Sequence, residues 1–311
     1  MKDNSSKSSL QLIQPYSENF LKKFAEVKNK SSVYLNNNTE KDFFDLNEEI
    51  KKLEYNQLVF PKKIRNQKSL KIIRDISKSL SKIERELRAY NLIDQEISNK
   101  KGSGGNQNYI KNFENTLKIK KQNLLSKSND VIQKIESVNL PIIDAQFDDK
   151  SLHKRTKKLT SNVDKITKGI GKRVMKFDRD NIIVLKNNNV SKYIYKLQKR
   201  CEKLKLILDT LTHLPQQSDI RGGYQNIDNV VIKNCNKIHR ILQDINSINF
   251  ATSLLKQAGS EHYLMKAVDK INDNLQDKQR EFIDMCKHFS ENLTFPVNKT
   301  TVDTLPKNAE F

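Results

Sequence analysis

Apolar residues recur through this chain at intervals of three and four, over runs of many turns. The longest run reads Ile73, Ile76, Leu80, Ile83, Leu87, Tyr90, Ile93, Ile97. Steps of three and four keep one face of a helix apolar, whereas a half-buried strand needs alternation at every second residue. Three more runs lie in the first half: Ile13 to Val27, Phe43 to Phe60 with one gap, and Ile110 to Val138. Four follow in the second half, with seams at Leu159–Phe177, Val190–Leu211, Ile227–Ile248 and Leu264–Leu293. The breaks between them are chemically distinct. "NKKGSGGNQN" (99–108) holds the glycine cluster, "DAQFDDKS" (144–151) is a polar link, and "LPQQSDIRGG" and "QAGSEH" supply turns.

This layout predicts an all-α protein of two pseudo-symmetric four-helix bundles, built from eight main amphipathic helices. The first half covers 10–140 and the second 150–295, together one domain, with 1–9 and 296–311 as flexible tails. Thr39 followed by Asp42 predicts a capped helix start. Eight glycines, six prolines and no tryptophan in 311 residues argue against a sandwich, barrel or Rossmann sheet, which need many tight turns.

The charge bears on partners. Lys and Arg number 57 against 37 Asp and Glu, a net +20, and residues 1–140 and 141–311 carry +10 each. A basic tail on a neutral body is excluded. Positive charge spread over a whole fold suggests a polyanionic partner; the plain alternative is lysine used as a default surface residue. No run of about 18 apolar residues occurs, and residues 1–15 lack a continuous apolar segment, so a cytoplasmic protein without membrane insertion is expected.

Familiar catalytic signatures are absent. Cys201, Cys235 and Cys286 are far apart, without metal-ligand spacing, and read as packing cysteines in a reducing compartment. The five histidines are scattered singly and read as surface or boundary residues. "TKGIGKR" (167–173) looks like a phosphate loop but lacks the four-residue spacer and the Ser or Thr after lysine. Gly169 and Gly171 lie within a helical seam, where a local bend is expected. The basic amphipathic stretch 153–179 has the character of a membrane-surface helix, but its apolar stripe matches those of its neighbours, so a shared core explains it. "ERELR" (84–88) sits in a helix, which excludes the strand-borne ExExK of triphosphate tunnel enzymes. No paired carboxylates, nucleophile with base, or metal cluster is apparent; no enzyme and no cofactor are expected.

A second stripe runs beside the buried seam of "SKYIYKLQKRCEKLKLILDTL" (191–211): Tyr195, Gln198, Glu202 and Lys205. Lys196, Lys199 and Lys203 fall nearly opposite the seam and are expected to be solvated. The stripe resembles the signature helix of the CHAD family, the histidine-containing α-helical domains, which reads roughly H-x-x-R-x-x-x-K-x-x-R. Leu206 stands in that pattern's aromatic place and Asp209 at its acid. The corresponding first-half stripe is Phe44, Asn47, Lys51 and Glu54. "ERELRAYNL" (84–92) is similar to the family's LGxxRDxDV string, with Arg88 at the arginine, Ala89 and Asn91 at the acids and Leu92 at the valine. "IHRILQDINS" (238–247) follows LQxxLGxxxD, with His239 for Gln, Leu242 kept, Gln243 for Gly and Ser247 for Asp. The likeness spans residues 10–295 in helix order and register more than in signature residues. Both histidine places are aromatic, and only Lys51 and Lys205 keep a basic residue in the two stripes.

The resemblance implies a non-enzymatic domain that binds inorganic polyphosphate on a basic surface between its halves, at polyphosphate granules. Lys51, Arg88 and Lys205 are the implied contacts, with Arg85 and Arg240 as weaker additions beside the motifs. Asn47, Glu54, Gln198 and Glu202 oppose an anionic site, which leaves a second class of function: an interaction scaffold that keeps the frame without the ligand. Nonspecific nucleic-acid binding is a third, although the aromatics that single-strand binders interleave with their cations are sparse at 7%. Oligomeric state is left open.

Overall fold

The computed structural model describes residues 5–98, 107–140, 149–179, 188–212, 229–258 and 262–292. Among these are nine α-helices and no strand: α1 (Ser5–Asn37), α2 (Glu40–Asn56), α3 (Lys62–Arg65), α4 (Lys68–Ser98), α5 (Gln107–Ile132), α6 (Asp149–Arg179), α7 (Asn188–Thr212), α8 (Asn229–Ala258) and α9 (His262–Asn292). The all-α expectation holds. Helix α1 begins inside the stretch expected as an N-terminal tail, while 296–311, most of the glycine cluster and most of the inter-helix turns lie outside the described residues.

The α1–α2 corner follows from local chemistry. Asn38 adopts φ 50°, a left-handed conformation that asparagine tolerates, and its N–H closes onto the Tyr34 carbonyl. Thr39 then caps α2 as expected: its Oγ1 accepts from the Asp42 N–H and donates to the Asp42 carboxylate at 2.8 Å. The other end departs from the seam. Helix α2 stops at Asn56, a 3-10 turn (Gln57–Val59) follows, and Phe60 is extended at φ −70°, ψ 148°. Pro61 explains this, because the residue before a proline is disfavoured in the helical region. Phe60 therefore enters the core from a turn, where Phe20 meets it edge-on at 4.9 Å and Tyr16 at 5.6 Å.

In the first half α1 packs on α2, α2 on α4 and α4 on α5; in the second α6 packs on α7, α7 on α8, α8 on α9 and α9 back on α6. The quartets meet mainly through α4 against α8 and α2 against α7. These contacts are compatible with the two-bundle layout. Nearly every seam residue with a described side chain is buried, from Phe20 through Leu80 to Phe282. Buried residues off the seams occur on many helices, and on the joining ones they include Leu206 and Ile207 on α7 and Leu242, Ala251 and Leu255 on α8. A helix at the joint buries one face in its own quartet and a second against the other.

The three cysteines are free, buried and gathered in the second-half core; contact with Cys235, burial and the nearby Cys286 push the Cys201 thiol up. Packing is the role this suits. Helix α6 runs unbroken through Gly169 and Gly171. A Cβ at Gly169 would stand 2.5 Å from Nη1 of Arg200, so the glycine admits the α7 guanidinium rather than marking a break. Among the described residues no helix is long and apolar enough to cross a membrane.

Candidate functional site

The four joining helices enclose a groove of about 650 Å³, and each contributes a polar side chain to one network on its floor. Lys51 on α2 bridges Glu84 Oε2 on α4 at 2.8 Å and Glu202 Oε1 on α7 at 3.0 Å. Arg88 grips Glu84 Oε1 through Nε at 3.1 Å and Nη2 at 2.9 Å. Gln243 on α8 donates to the same oxygen at 3.0 Å, and Asn47 donates to Oε2 at 2.8 Å. Lys199 closes on the second oxygen of Glu202 at 2.6 Å. The side chains of Lys51, Glu84 and Glu202 are only 15%, 11% and 12% exposed.

Burial and charge compete here, and charge prevails. Burial alone would raise the Glu84 carboxyl, but Lys51 and Arg88 hold it below the ordinary carboxylate range. Burial likewise opposes ionised Glu202, yet Lys51 and Lys199 bring it down to about 2. Lys51 is lowered by desolvation and raised more strongly by its two carboxylates. His239 goes the other way. Its burial, reinforced by Lys51, Lys205 and Lys199 against the pull of Glu202, takes it down to about 4, so the imidazole is neutral at pH 7. It is a boundary residue by position, but one that borders the network.

The sequence-predicted contacts divide. Lys51, Arg88 and Arg85 line the groove, the first two joined through Glu84. Arg88 also lies over the Phe44 ring at 4.7 Å, and Arg85 over Phe250 at 5.1 Å. Lys205 is not part of the lining; it reaches from α7 to Glu48 on α2 at 2.9 Å. Arg240 is exposed on α8, also outside the lining. Of the stripe on α7, Tyr195, Gln198 and Glu202 do face the groove, and Gln198 accepts a hydrogen bond from Asn246.

Lys199 departs from the expectation of a plain solvated lysine, whereas Lys196 and Lys203 are exposed as expected. Lys199 is half-buried at the groove, and Lys203 edges a second cavity. Helices α2, α6 and α8 all pack against α7, yet Tyr195, Lys196, Lys203 and Lys205 still reach solvent. Lys78 and Lys82 were also missed. With Arg85 they form a row at steps of four and three along α4, on the groove's rim. Their signal was present, since that spacing places them on one helix face. Glu84 falls within the excluded ExExK-like string, yet it is the hub of the network.

The chain matches no protein-family model, no curated protein and no solved structure.

Proposed function

We propose that this chain is a non-enzymatic polyanion-binding helical domain, CHAD-like in register, with inorganic polyphosphate as its first-choice ligand at cytoplasmic granules. The observation that carries the reading is the row Lys78, Lys82 and Arg85 along the groove between the halves. Neither Lys82 nor Arg85 has a carboxylate partner among the described residues, and both are exposed. Cations one helical turn apart suit a flexible chain of closely spaced anionic oxygens, which they engage by charge-assisted hydrogen bonds without reading a sequence. The surplus of 20 positive charges supplies long-range attraction.

The floor of the groove takes a different part. Glu84 and Glu202 already neutralise Lys51 and much of Arg88, and Glu48 pairs with Lys205. A polyanion therefore gains most from the rim, with Arg85 foremost among the implied contacts. That same saturation favours the second reading, a scaffold whose halves are clamped by ion pairs and whose ligand site is gone.

Retention of the full chain on immobilised long-chain polyphosphate, with DNA and RNA of matched charge as comparisons, tests this across a salt gradient. Polyphosphate is expected to hold the protein to higher salt than either nucleic acid, and the double change Lys82→Ala, Arg85→Ala to lower the eluting salt. Equal retention on all three polymers overturns polyphosphate selectivity in favour of a generic cationic surface. Absence of retention leaves the scaffold reading.

A further inference from the structure

A second cavity of about 370 Å³ opens between the end of α2, α3, α4, α6 and α7. Five cations line it: Arg65, Arg74, Arg155, Lys158 and Lys203. They come from four helices and from sequence positions up to 138 residues apart, so folding assembles them. Among the described residues Glu54 is the one carboxylate in the lining. It hydrogen-bonds Ser77, and burial pushes it toward its neutral form. Among the described residues none of the five cations forms an ion pair with a carboxylate.

Two buried groups are left without partners at this place. Gln57 is 1% exposed and lines the cavity, yet neither its amide oxygen nor its amide nitrogen has a hydrogen-bond partner. Nε of Arg65 is likewise buried and unpartnered, although Arg74 Nη2 donates to the Arg65 carbonyl at 2.9 Å. Burial, together with the nearby guanidiniums of Arg155 and Arg74, opposes the charged form of Arg65. Crowded like charges and an unpaired buried amide are each destabilising on their own. A bound multivalent oxyanion would offset the crowded charge and give the amide nitrogen an acceptor.

We propose that this pocket binds a terminal phosphoryl group, held by Arg65, Arg74 and Arg155 with Lys158 and Lys203 at its edge and the Gln57 amide as a neutral contact. Guanidiniums present paired N–H groups matched to phosphate oxygens, and three arriving from different helices suit a tetrahedral anion better than a flat carboxylate. The Gln57 nitrogen donates to a phosphoryl oxygen. Leu58, Leu159 and Ile207 form an apolar wall that lowers the local dielectric and strengthens each contact. The volume falls within the usual range of small-ligand sites. The ligand's source is either the end of an inorganic phosphate chain or an organic phosphate monoester. The chemistry is common to both, and the site stands independently of the groove and of the polyphosphate reading.

Calorimetric titration of the full chain with inorganic pyrophosphate, and separately with phenyl phosphate, tests the assignment. One-to-one binding of at least one probe is expected. Arg155→Gln should weaken it by about tenfold or more, the loss typical of a charged hydrogen bond. Gln57→Leu should weaken it several-fold while the unliganded protein melts no lower than the parent, which separates lost recognition from lost folding. The groove change Lys82→Ala should leave the titration unaltered. Tighter pyrophosphate binding points to an inorganic chain end and tighter phenyl phosphate binding to an organic monoester; either supports the pocket. Binding of neither probe, or binding that Arg155→Gln and Gln57→Leu leave unchanged, overturns it. A protein that binds pyrophosphate but is not retained by long-chain polyphosphate keeps this inference and loses the groove reading.

Discussion

The groove and the basic pocket adjoin at Glu54 and Tyr55, which line both, and they treat buried charge in opposite ways. On the groove floor Lys51, Arg88 and Lys199 are matched by Glu84 and Glu202, and the second oxygen of each carboxylate is also occupied. In the pocket, among the described residues, five cations face a single acid that burial favours as neutral. The same residue types serve two ends. Where opposite charges arrive from different helices, they clamp the halves and leave little for a ligand. Where like charges arrive together, the fold holds them only because other contacts outweigh the repulsion, and an anion is the missing complement.

Removing one charge from each region tests this contrast most sharply. Lys51→Ala leaves Glu84 to Arg88 and Glu202 to Lys199 and withdraws the α2 cation from both, so it should destabilise the protein by roughly 1.5–3 kcal/mol, the range for a lost hydrogen bond to a charged group. Arg155→Gln relieves repulsion and should leave stability unchanged or raised. Urea denaturation of both variants measures the difference; equal effects would erase the distinction between the regions.

Acid should weaken the network at the groove through two groups. His239 titrates near 4 in the folded chain against an ordinary 6.5, so below 6.5 the unfolded chain takes up the proton more readily. Stability from this group is complete above pH 6.5 and lost as pH falls toward 4, roughly 2 kcal/mol of it between pH 7 and 5. Glu202, lowered to about 2 from 4.5, acts further down: its contribution is present above pH 4.5 and lost as pH falls from there toward 2. Thermal melts at pH 7 and 5 should show a clear drop for the parent and a flatter response for His239→Gln.

Smaller effects complete the series. Gln57→Leu removes an unpaired buried amide and should be neutral or stabilising by up to about 1 kcal/mol in the absence of ligand. Lys205→Ala breaks a pair in which both partners are more than a third exposed, so its cost should stay below about 1 kcal/mol and shrink further in salt. A larger loss would make Lys205 part of the clamp rather than a surface tie. Both are read from denaturation midpoints.

Much of the frame was legible from periodicity. The runs through Phe43–Leu53, Ile73–Ile97 and Ile194–Leu211 all became buried faces, because a three-four spacing admits only one helical arrangement in water. Phe60 departed from its run because a proline follows it, a local signal that outranked the spacing. Leu242 and Ile207 were not on any seam, since a second buried face depends on which helices meet. Of the predicted contacts, Lys51, Arg88 and Arg85 came together at one groove, while Lys205 and Arg240 did not line it. Nothing in their spacing told that Lys51 would be held by two carboxylates from other helices. The pocket was less legible still: the basicity of 153–179 was evident, but not that Arg155 and Lys158 would meet Arg65 and Arg74.

The sequence by itself determined that this chain is helical, where its buried faces lie, and that it carries positive charge throughout, because periodicity, caps and net charge are local or additive properties. Only the tertiary structure decided which lysines and arginines are satisfied and which still lack a counter-charge. That depends on carboxylates tens to hundreds of residues away, and electrostatic energy follows distance in space and burial, not separation along the chain.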